Sequence, residues 1–263
     1  MVRSQYRPSP VRFASMSEIG SLAWLERTRG RLSRREQLEL MALAVRSQAV
    51  LLARRLGKSG DRVGRLDPRD VRIPDSATAR EAEEVCGGLP RSVASHSHRC
   101  YLWGAILAAQ DGITFDEELL YVAALLHDAG MPVAAAEGHD CCFTLDSVLA
   151  VRALRAPLEP QARQRAAEEA IALHLNPAVA RERGAEAHLM NAAAALDVLG
   201  MRLWEIEPEA KAAVLERHPR HEFKAEWDGL CRAHMRAMPR GRVGWLYRYA
   251  AFGLQLRHAP FDG

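Results

Sequence analysis

The sequence is short of several things, and each shortage excludes a class of protein. No apolar run in it approaches the ~20 residues that a membrane-spanning helix needs, which argues against an integral membrane protein. The cysteines are Cys86, Cys100, Cys141, Cys142 and Cys231, too few and too irregular for a disulfide framework, with no CxxC pair of the zinc-site kind. That usage suits a reducing cytoplasm. Lysine occurs only at Lys58, Lys211 and Lys224, so nearly all of the 36 basic residues are arginine. Net charge is nevertheless only +3, and Arg and Glu are interspersed, whereas nucleic-acid binders gather charge into a patch or stripe. Arginine and alanine are both abundant, which is what GC-rich codons supply, so the arginine reads as genome composition rather than as a nucleic-acid footprint. No segment alternates polar and β-branched apolar residues, so no sheet is expected.

What is present is a chain of 263 residues, 48% apolar and 26% charged, ample for a buried core. Residues 1–16 carry Arg and Pro without an acid and lack the apolar core of a secretory signal, so they read as a disordered start. Residues 17–70 read as an N-terminal helical extension and linker. Ser17 is placed to cap a short helix carrying Ile19, Leu22, Trp24 and Leu25. Ser33 and Glu36 fit a capping box, which opens a long helix to about Leu56, stopped by Gly57. Leu38, Met41, Val45, Ala49, Leu52 and Leu56 form one stripe on it, expected to pack on the domain core, with a homodimer seam as the alternative.

Residues 71–263 read as the main domain. Helices are expected over Thr78–Cys86, Ser92–Gln110, Glu117–Asp128, Leu145–Leu154, Pro160–Leu175, Ala185–Leu199, Pro208–Arg217, Phe223–Met238 and Val243–Leu256. Short helices with broad apolar faces predict an all-α, orthogonal helical bundle.

His127-Asp128 ends a helix that is apolar on nearly every side. A carboxylate there needs a cation or several donors, because an unpaired buried charge is costly. His96-Ser97-His98-Arg99 lies upstream on a helix with Val93, Leu102 and Ile106. Asp197 is the only charge in Ala192–Gly200, among alanines small enough for backbones to approach closely. Two imidazoles and two carboxylates form a ligand set for a divalent metal such as Zn, Fe or Mn.

His96, then His127-Asp128 after an apolar helix, then Asp197, resembles the H…HD…D pattern of the HD-domain metal-dependent hydrolases. Ile73-Pro74-Asp75-Ser76, His96–Gly104, Leu125–Gly130, Phe143–Asp146, Ala170–His174, His218–Phe223 and Ala259–Asp262 are similar to the subgroup that includes cyanamide hydratase. The resemblance implies a helical domain over roughly 71–263, with His96, His127, Asp128 and Asp197 as metal ligands. His98 takes the family's variable position, and a helix turns it ~200° from His96. Arg99, one turn after His96, pairs with a ligand carboxylate or holds an anionic substrate. His174 and His139 are candidates for a second metal or for substrate.

The reading that follows is a metal-dependent hydrolase or hydratase that activates water against a small-molecule substrate, with Asp128 also orienting the water. Ala129-Gly130-Met131-Pro132 follows the HD pair where many phosphohydrolases of the superfamily carry Lys or Glu. That counts against the alternative, an HD phosphohydrolase acting on a nucleotide or phosphate ester. A non-enzymatic HD regulatory module is the third reading.

Overall fold

The computed structural model describes residues 18–57, 64–135 and 139–262. The expected disordered start and the Ser17 cap lie outside them. Among the described residues the regular structure is helical, and the only β contact is an isolated bridge between Arg31 and Gly241. No helix among them is long and apolar enough to cross a membrane.

The helices are α1 (Leu22–Thr28), α2 (Arg34–Leu56), α3 (Ala77–Gly87), α4 (Arg91–Asp111), α5 (Glu117–Leu126), α6 (Met131–Ala134) and α7 (Phe143–Arg152). They continue with α8 (Gln161–Leu173), α9 (Ala185–Leu199), α10 (Pro208–Arg217), α11 (Phe223–Ala237), α12 (Arg242–Tyr249) and α13 (Phe252–Arg257). Helix α5 explains the architecture. Every residue from Leu119 to Leu126 is buried, so the helix needs neighbours on all sides. It has them in α3, α4, α7, α8 and α9. Asp116 caps it, its side chain accepting from Leu119 N.

The long helix α2 starts at the capping box expected for it, with Ser33 and Glu36 bonded reciprocally. Most of its apolar stripe, however, is turned away from the core, Met41 being a member that packs against it. Leu38, Val45 and Leu56 are 73%, 63% and 74% exposed, while Leu40 is buried and Leu43 and Ala44 pack against the core. The helix is apolar on more than one side, so hydropathy alone does not set its rotation. Polar ties do. Trp24 Nε1 donates to Glu36 Oε1 at 2.6 Å, Trp245 Nε1 to the Gln37 carbonyl at 3.2 Å, and Arg54 Nε to Glu205 at 2.7 Å.

The short helix before α2 is capped by Ser21, whose Oγ accepts from Trp24 N at 3.2 Å. The helix expected over Val243–Leu256 is two helices, broken at Ala251, which takes a left-handed φ of 51°. The break lets Gly253 lie against the Tyr247 ring, where an added Cβ would sit 2.9 Å from Cε1. A straight helix could not fold back to make that contact.

The turn after α5 depends on a glycine. A Cβ on Gly130 would overlap the Phe143 carbonyl oxygen and lie 2.5 Å from Asp146 Cβ and 2.8 Å from Ser147 N. Gly130 N also donates to Ser147 Oγ at 3.0 Å. The turn carrying His127 and Asp128 is thus pressed onto the start of α7. Since backbone atoms cannot yield cheaply, Gly130→Ala is expected to cost about 1–3 kcal/mol, as overpacking does. Thermal unfolding measures it, and an unchanged Tm would mean that the turn and α7 do not make this contact.

Candidate metal centre

Helix α4 supplies one face of the centre. His96, Arg99, Cys100 and Trp103 fall at i, i+3, i+4 and i+7, so they share a side, and that side meets α9. Gly104 and Ala193 keep the two backbones close. Asp197, on α9, is drawn in among the α4 side chains.

The Asp197 carboxylate is fully occupied. Its Oδ1 accepts from Arg99 Nε and from Trp103 Nε1, both at 2.8 Å. Its Oδ2 accepts from Arg99 Nη2 at 2.9 Å and from His96 Nδ1 at 2.8 Å, with Arg220 Nη1 at 3.2 Å. Burial alone would raise this carboxyl; Arg99, His96 and Arg220 outweigh it and hold Asp197 well below the usual carboxylate range. This departs from the expectation that Asp197 is a ligand. Its lone pairs are spent on donors, and it stands behind His96 rather than beside it.

The Arg99 expectation divides. Arg99 pairs with a carboxylate, but it cannot hold a substrate anion. It is fully buried, forks onto Asp197, and spends Nη1 on the His218 and Pro219 carbonyls at 3.1 Å each.

Asp128 contrasts with Asp197. It is buried, and neither oxygen receives a directed hydrogen bond. Imidazole nitrogens nevertheless crowd it. Oδ2 lies 2.9 Å from His127 Nε2 and 3.3 Å from His96 Nε2, and Oδ1 lies 3.6 Å from His174 Nε2. The Nε2 atoms of His96 and His127 face each other at 3.2 Å. Two nitrogen lone pairs approach this closely only with a proton or a cation between them.

The far sides of the rings show how they are aimed. His127 Nδ1 donates to the Ala124 carbonyl at 2.8 Å and His174 Nδ1 to the Ile171 carbonyl at 2.7 Å. A carbonyl can only accept, so each Nδ1 carries a proton and each Nε2 is the atom presented to the centre. His96 does the same with Asp197. Metal-binding histidines characteristically use their second nitrogen in this way, which fixes ring orientation and raises ligand basicity. Both helix ends contribute, since His127 and His174 follow the last residues of α5 and α8.

Protonation follows the local charges. Burial lowers His127, but Asp128 outweighs it and pushes the imidazole up to about 10. Burial and the nearby His127 push His174 down to about 3. Asp128 is held below the usual range by His127 and His96 against the effect of burial. Asp128 is thus an ionised carboxylate that its imidazole neighbours meet by charge and not by a directed hydrogen bond. His96, His127, Asp128 and His174 together suit a divalent transition cation.

A family model for the HD domain matches residues 93–224, half of the chain. The chain belongs to the HD-domain family. No curated protein matches it. HD domains bind divalent metals, and the clusters His127-Asp128-His174 and His96-Cys100-His127 are able to hold one.

His139 is not at the HD centre. Its Nε2 lies 2.8 Å from Asp146 and 3.1 Å from Cys141. Several residues of the centre escaped sequence reasoning. Trp103 and Cys100 carry a legible signal, their shared α4 face with His96. Phe223, stacked on His96 at 4.8 Å between ring centroids, belongs to His218–Phe223, where sequence alone assigns no contact. Asn191 Nδ2 donates to the His174 and Asn176 carbonyls at 2.7 Å each and pins the turn after α8; nothing in its local sequence marks it.

Arg99→Ala would leave Asp197 buried with its main charge partner gone. Removing one partner of a buried pair costs about 3–5 kcal/mol, so a large fall in Tm is expected. A rise in KM at unchanged Tm would instead make Arg99 a substrate-binding residue.

Proposed function

We propose that this HD-domain protein is a metal-dependent hydrolase or hydratase that directs water at a small, uncharged substrate. The cavity in front of the four groups carries the reading. His96, His127, Asp128 and His174 line it with Ala194, Val198, Trp227, Leu246 and Phe252, and among the described residues no Lys or Arg lines it. Its volume is about 110 Å³, well under the roughly 300–1,000 Å³ of pockets for drug-sized ligands. A phosphate ester would bring charge into a space that no lysine or arginine lines among the described residues. The nearby arginines, Arg99 and Arg220, are turned to Asp197 instead.

A divalent cation bound there supplies a Lewis acid and lowers the pKa of water toward neutrality. The chain's own groups do the rest. Asp128 is held ionised, so it accepts a hydrogen bond from an attacking water and orients it. His174, neutral with a pKa near 3, orients through its lone pair and does not serve as an acid at neutral pH. The wall is mostly apolar, which strengthens the electrostatic interactions inside. The class of substrate these features favour has a polarised carbon–nitrogen bond, as nitriles, cyanamides and small amides do, in keeping with the resemblance to the cyanamide hydratase-like subgroup.

Metal analysis of purified protein, beside Asp128→Ala, is the first experiment, followed by a panel of neutral nitrogen compounds and phosphate esters. Turnover of a neutral compound is expected, with Asp128→Ala lower in kcat/KM by on the order of 10³-fold or more. Phosphate release from esters, with no action on the nitrogen compounds, overturns the substrate class. An intact fold that takes up no divalent metal overturns the catalytic reading.

A further inference from the structure

The connection between α6 and α7 carries a second convergence of ligand types. His139 and Cys141 lie in its described part, and Asp146 lies in the first turn of α7. His139 Nε2 is 2.8 Å from Asp146 Oδ2 and 3.1 Å from Cys141 Sγ, and Sγ is 3.6 Å from each Asp146 oxygen. None of the three lines the cavity of the HD centre.

Two chemistries compete for this arrangement. In a nucleophile relay the thiol and the carboxylate occupy opposite nitrogens of the histidine, so that the ring passes a proton between them. Here both approach the same nitrogen. A ring nitrogen carries at most one proton, which can serve one neighbour and not both. The protonated thiol donates to Asp146; once deprotonated, its sulfur, the histidine nitrogen and a carboxylate oxygen are three lone-pair donors within 3.6 Å of one another, which fits a cation. Cysteine sulfur, histidine nitrogen and aspartate oxygen are the ligand types of Zn²⁺, and sulfur beside imidazole disfavours Mg²⁺ and Ca²⁺.

The surroundings agree. The His139 and Asp146 side chains are 18% and 17% exposed, whereas Cys141 is buried. An ion and its water have an entry on the His–Asp side, and sulfur closes the back. The loop is also held from outside. Arg29 Nη2 donates to Asp140 Oδ1 at 2.6 Å, and Cys142 N donates to the Arg29 carbonyl at 2.9 Å. These contacts place His139 and Cys141 without the help of an ion.

We infer that His139, Cys141 and Asp146 bind a divalent ion of the zinc class, with solvent completing its shell, at a site separate from the HD centre. The ion ties the α6–α7 connection to α7. Asp146 Cβ is also one of the atoms that face Gly130, so the tie acts where the HD turn rests.

The test uses the full chain, stripped by a chelator and titrated with Co²⁺, which reports sulfur ligation by a sulfur-to-cobalt charge-transfer absorption. The HD centre needs its own control, because Cys100 Sγ lies 3.6 Å from His96 Nε2. The absorption is expected in the wild type, in Cys100→Ser and in Asp128→Ala, and to be absent in Cys141→Ala and His139→Ala. Each of the last two is expected to bind about one ion fewer per chain than the wild type. Absorption or stoichiometry unchanged in Cys141→Ala overturns the site. Loss of an ion in Asp128→Ala but not in Cys141→Ala upholds the HD centre and overturns this one, and the reverse pattern does the opposite. If Asp128→Ala does not fold, the comparison of Cys141→Ala with Cys100→Ser decides alone.

Discussion

Two carboxylates sit in the middle of this bundle, and the rest of the structure is arranged around compensating them. Burying a charge costs several kcal/mol even after relaxation, so Asp128 and Asp197 must each meet positive charge or directed donors. They are treated differently. Asp197 is given Arg99, Arg220, Trp103 and His96 and is finished as a structural anion. Asp128 is given imidazole nitrogens at contact distance but no directed hydrogen bond. A buried carboxylate that imidazole nitrogens crowd but no directed hydrogen bond satisfies marks where an external cation belongs.

The two carboxylates act as a pair through His96. Its Nδ1 faces Asp197 at 2.8 Å and its Nε2 faces Asp128 at 3.3 Å. Asp197 therefore sets the ring's orientation and its basicity, and the arginines that neutralise Asp197 limit how much negative charge reaches the centre. Phe223 holds the same ring from its face and lies under both guanidinium groups, 5.5 Å from that of Arg99 and 4.9 Å from that of Arg220. One aromatic side chain thus ties the ligand layer to the charge layer behind it.

What could be read from residues, and what could not, follows from the same division. The buried helix ending in His127-Asp128 was legible because apolar residues on all sides of a helix leave its polar end nowhere else to go. His96 was legible through the resemblance to the H…HD…D pattern, and Arg99 from its place one turn after His96. His174 was legible as a candidate at the end of its helix; the placing of Asp197 behind His96 was not. Which side of a carboxylate faces a neighbour depends on how far α9 slides along α4, and small side chains such as Gly104 and Ala193 set that in three dimensions. The rotation of α2 failed for a related reason. Leu40 and Leu43 are as apolar as Leu38 and Val45, so the stripe had no unique phase until the ties from Trp24, Trp245 and Arg54 chose one. The break at Ala251 answers to Gly253 against Tyr247, a contact that no local propensity announces.

Arginine deserves a second account beside genome composition. Several of these side chains are spent inside the fold on helix-end and loop carbonyls. Arg99 takes the His218 and Pro219 carbonyls, Arg220 takes that of Asp197, and Arg242 takes that of Ala172 at 2.7 Å. The last carbonyls of a helix have no partner within it, and a buried one left alone costs about 1–3 kcal/mol. A planar, always charged fork can satisfy a carbonyl and a carboxylate at once, which an ammonium on a flexible stem does less well. An orthogonal bundle of short helices has many ends to satisfy near its centre. The same residue type that closes those ends also neutralises Asp197, and it does so without entering the cavity, which is why an arginine-rich chain can present a pocket that no arginine lines, among the described residues, beside His96, His127 and Asp128.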